Sequence, residues 1–118
     1  MALAFSIQKF DKTRFKKLSD GGNNVDVCEA QVNGDFEVLH DLYKNRDLLH
    51  CFLNVVKCSS EDQYSEITKE QLETIIALVN KTEYTHWPEI KSQNVVMLNA
   101  LLQDTDFDIS VLTFDWNP

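Results

Sequence analysis

Three glycines are all that this 118-residue chain contains, and none is arranged as GxGxxG or GxxxxGK[ST]. The backbone cradles that hold dinucleotides and nucleoside triphosphates are therefore not written in it. Its three cysteines, Cys28, Cys51 and Cys58, form an odd set without a CxxC pair. That excludes a disulfide framework and a zinc knuckle, and the expected state is buried, reduced thiol. Apolar runs are short, well under the roughly 20 residues that cross a bilayer. The N-terminal MALAFSIQKF has neither a basic leader nor a long apolar core, so a secretory signal is not expected and the cytoplasm is the expected compartment.

No spacing of ligands or nucleophiles takes the place of these motifs. His40, His50 and His86 lack the i, i+4 step of a zinc helix. Asp104-x-Asp106-x-Asp108 imitates the start of a calcium loop, but Ile109 stands where the loop needs glycine and Asp115 where it needs glutamate. These three aspartates are expected on a solvated strand edge, discouraging edge-to-edge pairing. His50 lies among Leu49, Phe52 and Leu53 and reads as a structural histidine oriented by Asp47 at i−3, since neither a nucleophile nor an oxyanion cradle can be located. The expectation is no catalytic residue, no metal, no cofactor and no enzyme.

What is present is acid. The formal charge is −8, which opposes direct binding to the phosphate backbone of nucleic acid. The charge is also uneven. The first 20 residues hold five cations, Lys9, Lys12, Arg14, Lys16 and Lys17, against Asp11 and Asp20, leaving 17 acids and 6 bases for the remainder. The basic stretch QKFDKTRFKKLSD reads as a short surface helix, with Lys12, Arg14, Lys16 and Lys17 as candidates for holding a phosphate.

With 43% hydrophobic residues the chain can supply one core, and a single domain over 1–118 is expected. FEVLHDLYKNRDLLHCFLNVV, residues 36–56, places Phe36, Leu39, Leu42, Tyr43, Leu49, Phe52, Leu53 and Val56 at steps of three and four. That predicts one long amphipathic helix, capped by Asp35. Thr68 followed by Gln71 is a capping box, and Leu72, Ile75, Ile76 and Val79 extend it as a second helix. Pro88 suits the first turn of a third, whose buried face carries Ile90, Asn94, Met97, Leu98 and Leu101. Strands are expected at Ala2 to Ile7, at Val25 to Val32 after the Gly21-Gly22-Asn23-Asn24 turn, and near the C-terminus, where Phe107, Ile109 and Val111 alternate with polar residues. The predicted fold is α+β, with about three main helices on a sheet of three or more strands.

Tyr43-Lys44, Asp47, Leu49-His50 and Phe52-Leu53, then Glu61-Asp62, Tyr64 and Ile67-Thr68-Lys69-Glu70-Gln71-Leu72, together resemble a pattern in small uncharacterised accessory proteins of tailed bacteriophages. The likeness covers residues 43–79 and, more weakly, 89–116, where DFDISVLTFDW is similar in character. Asp47 stands where the pattern has asparagine, and Leu53 where it has an aromatic residue. The resemblance implies phage origin and a host-cell cytoplasm, and names no activity.

Composition and resemblance together give the functional expectation. The chain is read as a non-enzymatic inhibitor whose acidic face blocks a basic functional surface of a bacterial defence or nucleic-acid-handling protein. Glu61, Asp62, Glu66, Glu70 and Glu73, joined by Asp104, Asp106 and Asp108, would mimic a row of phosphates, with Tyr64, Tyr84 or Trp87 as aromatic anchors. Two alternatives are a sponge for a nucleotide signal, using the N-terminal cations and Tyr43, Tyr84 or Trp87, and a toxin-neutralising immunity protein. The sequence leaves a homodimer open and implies no membrane contact.

Overall fold

The computed structural model describes residues 3–34, 36–56 and 63–117. Asp35, Cys58, Glu61 and Asp62 lie outside them, and with them the expected cap on Phe36 and two of the acids assigned to a partner. The fold is α+β. One antiparallel sheet is built from β1 (Ala4–Asp11), β2 (Asn24–Asp26), β3 (Phe36–Tyr43), β4 (Gln63–Ile67) and β5 (Ser110–Asn117), in the order β2-β4-β5-β1-β3. Five helices join them: α1 (Lys12–Leu18), α2 (Val27–Asn33), α3 (Arg46–Val55), α4 (Lys69–Lys81) and α5 (Lys91–Asp104), the last preceded by a 3-10 turn at Pro88–Ile90. Two of the five are single short helices of seven residues, which accounts for the excess over the three main ones expected.

Alternation along the strands gives the sheet two apolar faces. Phe5 and Ile7 of β1 pair with Trp116 and Phe114 of β5 and face α3, α4 and α5. There Phe52 makes edge contacts with Phe5 at 5.0 Å and Phe114 at 5.2 Å, and Leu48, Leu72, Ile75 and Leu98 are fully buried around them. Phe10, one step out of phase with Phe5 and Ile7, packs on the opposite face with Phe15 of α1, Val25, Ala30 of α2, Tyr64 and Val111. Beside the Phe10 cluster, on the same face of the sheet, lies a polar ladder. Gln8 donates to Ser6 Oγ at 2.7 Å and to Asp115 Oδ1 at 2.6 Å, and accepts from Thr113 Oγ1 at 2.9 Å, while Ser6 Oγ also donates to Asp115. Every polar group of buried Gln8 is thus engaged, which removes the cost of placing it in the interior.

Local chemistry explains where the elements begin and end, including three places that the sequence reading had otherwise. The expected helix at 36–56 is a strand and a helix. β3 pairs with β1 from Phe10↔Phe36 to Ala4↔Tyr43, the chain turns at Lys44 with φ +58°, and α3 follows. The expected strand Val25 to Val32 stops at Asp26, whose carboxylate accepts the Glu29 amide at 3.1 Å and starts α2; Gly34, at φ +67°, ends it. The segment after Asp62, where no strand was expected, contains β4. α4 has the capping box read from Thr68 and Gln71, with both reciprocal bonds present at 3.1 and 2.9 Å. No helix among the described residues is long and apolar enough to cross a membrane.

Candidate functional site

The acids singled out in the sequence are distributed over several elements. Glu66 on β4, Glu70 in the first turn of α4 and Asp108 line one groove of about 320 Å³, but Lys12 and Lys69 line it with them. Burial pushes the Glu66 carboxyl up from its ordinary value, and the nearby charges of Lys12 and Lys16 pull against that. The groove is therefore of mixed charge. Glu73 is exposed on α4, and Asp104 is the last residue of α5. Asp106 and Asp108 are in a turn rather than on a strand edge: Asp106 Oδ1 accepts the Asp108 amide at 3.0 Å, and β5 begins only at Ser110. Tyr64 is a core residue, 4% exposed and in ring contact with Phe10 and Phe36, so it is closed to a partner as an anchor.

The N-terminal cations sit on α1. Lys12 Nζ donates to the Phe107 carbonyl at 2.9 Å, Arg14 follows the Asp11 cap, and Lys16 and Lys17 occupy the exposed last turn, where they complement the carbonyl end of the helix. A strand separates them from the aromatic residues with which they were grouped. Tyr43 is opposite Ala4 at one end of β1 and α1 leaves from the other, a span of roughly 23 Å at ~3.3 Å per residue.

The aromatic residues gather elsewhere. Tyr43 at the end of β3 and Trp87 in the α4–α5 connection are among the few large apolar side chains left exposed, at 62% and 40%. They line a common cleft of about 400 Å³, floored by Asn45 and Asn94 and flanked by Asp41 and Met97. A second hollow continues it between Tyr43, Lys44, His86 and Trp87.

The cleft is held from beneath by polar groups diverted from their usual local work. Asn45 occupies the N-cap position of α3 but makes no capping bond. Its amide instead pairs reciprocally with that of Asn94 on α5, two bonds of 3.0 Å, and Asn94 also donates to the Tyr84 hydroxyl at 2.9 Å. Both asparagines and Tyr84 are buried, and burial pushes the Tyr84 hydroxyl up to about 12 against the opposing effect of its bond from Asn94. Tyr84 is therefore a structural post and not a stacking surface.

Asp47, in the first turn of α3, turns its carboxylate to the same connection. Oδ2 accepts the His86 amide at 3.0 Å and Oδ1 lies 3.1 Å from His86 Nδ1. Burial raises its pKa, but the bonds from the His86 ring and from the amides of residues 85–87 outweigh it and hold the carboxyl below the usual range. A third tie comes from Lys91, which donates to the Thr82 carbonyl at 2.6 Å. The expected Asp47–His50 pairing is thus replaced by Asp47–His86. His50 is exposed, its ring 6.4 Å from that of His86.

Sequence reasoning had picked Tyr43, Tyr84, Trp87 and Asp47 one by one, but missed Asn45, Asn94 and His86 as a supporting set. Asn45 at an N-cap without a side-chain capping bond breaks a local rule, as functional or strained sites do, but in the sequence it is an ordinary cap residue. Of the cysteines, Cys51 is buried, 3.8 Å from Thr82 Oγ1, whereas Cys28 is exposed, contrary to the expected burial. Among the described residues no group of three or more His, Cys, Asp or Glu side chains could hold a metal ion. Comparison with family models, with curated proteins and with solved structures finds no match.

Proposed function

We propose that the protein is a non-enzymatic interaction protein that binds a partner protein presenting a basic surface, with the Tyr43–Trp87 cleft as the anchoring point. One observation carries this reading: two exposed aromatic residues share a cleft whose walls are fixed from below by a buried amide pair and a carboxylate. Preorganised aromatic pockets of this kind are where binding energy concentrates in protein interfaces, because little ordering remains to be done on contact. The formal charge of −8 favours a basic partner and speeds encounter with it. That the partner is bacterial, and that binding inhibits it, rests on the phage resemblance alone. The immunity-protein alternative shares this mechanism. The nucleotide sponge has less support, because the α1 cations and the cleft aromatics are at opposite ends of β1.

The test is retention of partners from a bacterial lysate on immobilised protein, compared across wild type, Tyr43→Ala/Trp87→Ala and Glu66→Lys/Glu70→Lys. The cleft variant should lose the specifically retained protein, and the charge-reversed one should bind it more weakly and with less salt dependence. Unchanged retention by the cleft variant removes the anchoring role.

A further inference from the structure

We propose that the free edge of β3 takes up an extended segment of the partner protein as a sixth strand, with one large apolar side chain of that segment in the Tyr43–Trp87 cleft. This rests on the interaction reading above and adds how the partner is held. Among the described residues β3 is bonded only to β1 and ends the sheet on that side. Two hydrogen bonds show which of its backbone groups point outward. Lys44 N donates to the Leu3 carbonyl at 3.1 Å, and Lys12 N to the Ile109 carbonyl at 2.9 Å. Antiparallel neighbours alternate between bonded and non-bonded pairs. The first bond therefore turns Leu3, Phe5 and Ile7 to β3, the second turns the even-numbered residues of β1 to β5, and the two agree. Asp41 and Tyr43 stand opposite Ser6 and Ala4, in non-bonded pairs. Their N–H and C=O groups thus point away from the sheet, with no backbone partner among the described residues. Another extended backbone is the group that meets such a repeat in full.

The two edges of the sheet are guarded unequally. β2 is protected by its length of three residues, whereas β3 has eight, without proline or lysine. The bulge at Leu39 disturbs its first half only and leaves His40 to Tyr43 regular. Every other strand has at least one buried residue; β3 has none, although Phe36, Val38, Leu39, Leu42 and Tyr43 are apolar. The regular half is also a wall of the cleft. His40 and Leu42, opposite Ile7 and Phe5, face the helices, while Asp41 and Tyr43 face the other way. Four consecutive residues that alternate in this manner share a cleft along the strand's edge, and the edge not held by β1 is the free one. A strand added there, about 4.8 Å from β3, runs beside the cleft. Its side chains on the helix side then meet Trp87, Ile90 and Met97, which suit a large apolar group. A second copy of the chain is the less favoured strand. It would bring a further formal charge of −8, and β3 has two acids and no lysine or arginine. Glu37 is met by Lys9 at 3.8 Å, but Asp41 has no such cation among the described residues, and like charges set opposite one another destabilise a strand pair.

Amide exchange with solvent, read by NMR on ¹⁵N-labelled protein with and without the end-blocked heptapeptide KTVWVTK, tests the proposal. The probe is biased to an extended form by its β-branched residues, carries one large apolar side chain and has basic ends. At about ten times its Kd it should slow exchange at Asp41 and Tyr43 about tenfold, and leave Leu42 and Lys44, already turned to β1, unchanged. Two versions of the peptide, N-methylated on one or the other alternate set of backbone nitrogens, should divide, one losing binding and the other keeping it. Asp41→Pro removes an outward N–H without touching the ladder to β1, a place where strands tolerate proline, and should abolish the slowing at Tyr43. The methylated peptides carry the test alone if that variant does not fold. Trp87→Leu should weaken binding about fivefold or more, and no effect overturns the place given to the apolar side chain. No slowing at Asp41 and Tyr43, or equal binding of the two methylated versions, overturns strand addition. Slowing that rises with protein concentration in the absence of peptide overturns the partner strand in favour of a second copy. If the peptide slows neither amide while the Tyr43→Ala/Trp87→Ala variant still loses its partner, strand addition is wrong and the interaction reading stands. Slowing by the peptide with partner retention unaffected by that variant supports the edge site and removes the cleft as the partner's anchor.

Discussion

Asp47 and His86 are 39 residues apart in sequence and joined by two contacts, the His86 amide to Oδ2 at 3.0 Å and the ring Nδ1 to Oδ1 at 3.1 Å. The first of these fixes the backbone just before Trp87, so one carboxylate on α3 positions a side chain that belongs to the connection between α4 and α5. Replacing Asp47 by Ala removes an ionised acceptor from a nearly buried site and should cost about 2 kcal/mol. The expected readout is a lowered urea midpoint, with faster hydrogen exchange at the amides of Thr85, His86 and Trp87. Exchange unchanged at these three amides would show that the carboxylate does not hold the loop.

The same carboxylate predicts a pH dependence. Its folded pKa is below the ordinary 3.8. Its contribution is complete above that ordinary value, and it is lost as pH falls from there through the lowered folded value. Thermal melts of wild type and Asp47→Asn between pH 6 and 2 should therefore converge at the acid end. A gap that stays constant across the range would contradict the assignment.

Asn45 and Asn94 should behave as a unit. Truncating either to Ala leaves the other amide, and in one case the Tyr84 hydroxyl, without its partner in a buried position, at a cost of about 2 kcal/mol each. The double variant should lose clearly less than the sum, because the first deletion has already orphaned the second group. Additive losses in a double-mutant cycle would mean that the pair is not coupled.

Lys44 holds φ +58°, a conformation that costs an L-residue roughly 1–2 kcal/mol. Glycine relieves that strain and adds about 0.5–1 kcal/mol of chain entropy to be lost on folding. Lys44→Gly should thus be neutral to stabilising by up to about 1.5 kcal/mol in chemical denaturation, and a marked loss would show that the lysine side chain itself supports the turn.

At α4 the sequence alone suffices for a quantitative expectation. Thr68→Ala should cost about 1 kcal/mol, measured as a shift in the urea midpoint at constant slope, since it removes the acceptor for the Gln71 amide.

What could be read in advance follows from how local the cause is. The capping box of α4, the buried face of α5 through Asn94, Leu98 and Leu101, and the strand around Phe5 and Ile7 are each set by side chains within a turn or a few residues of one another. β3 was hidden by its own irregularity. Its register shifts between Ile7 and Gln8 of β1, so that Leu39 is an extra residue, and the bulge turns an alternating pattern into apolar steps of three at Phe36, Leu39 and Leu42. The α2 helix had visible signals, Asp26 ahead of Glu29 and Gly34 at its end, which the alternation of Val25 and Val27 overrode. The supporting set of the cleft was out of reach for a different reason. Asn45 and Asn94 are 49 residues apart, and although Asn94 falls on the buried face of its helix by spacing, nothing local names Asn45 as its partner.

β5 lies between β4 and β1, in the middle of the sheet, although it is synthesised after all the other strands. Until Ser110–Asn117 has left the ribosome, β1 with β3 and β4 with β2 are two separate ribbons with no shared hydrogen bonds, each exposing the edge that β5 will cover. The sheet therefore cannot close until β5 has been made. A stop codon or frameshift ahead of residue 110 would not trim the sheet at its margin but leave its two halves apart.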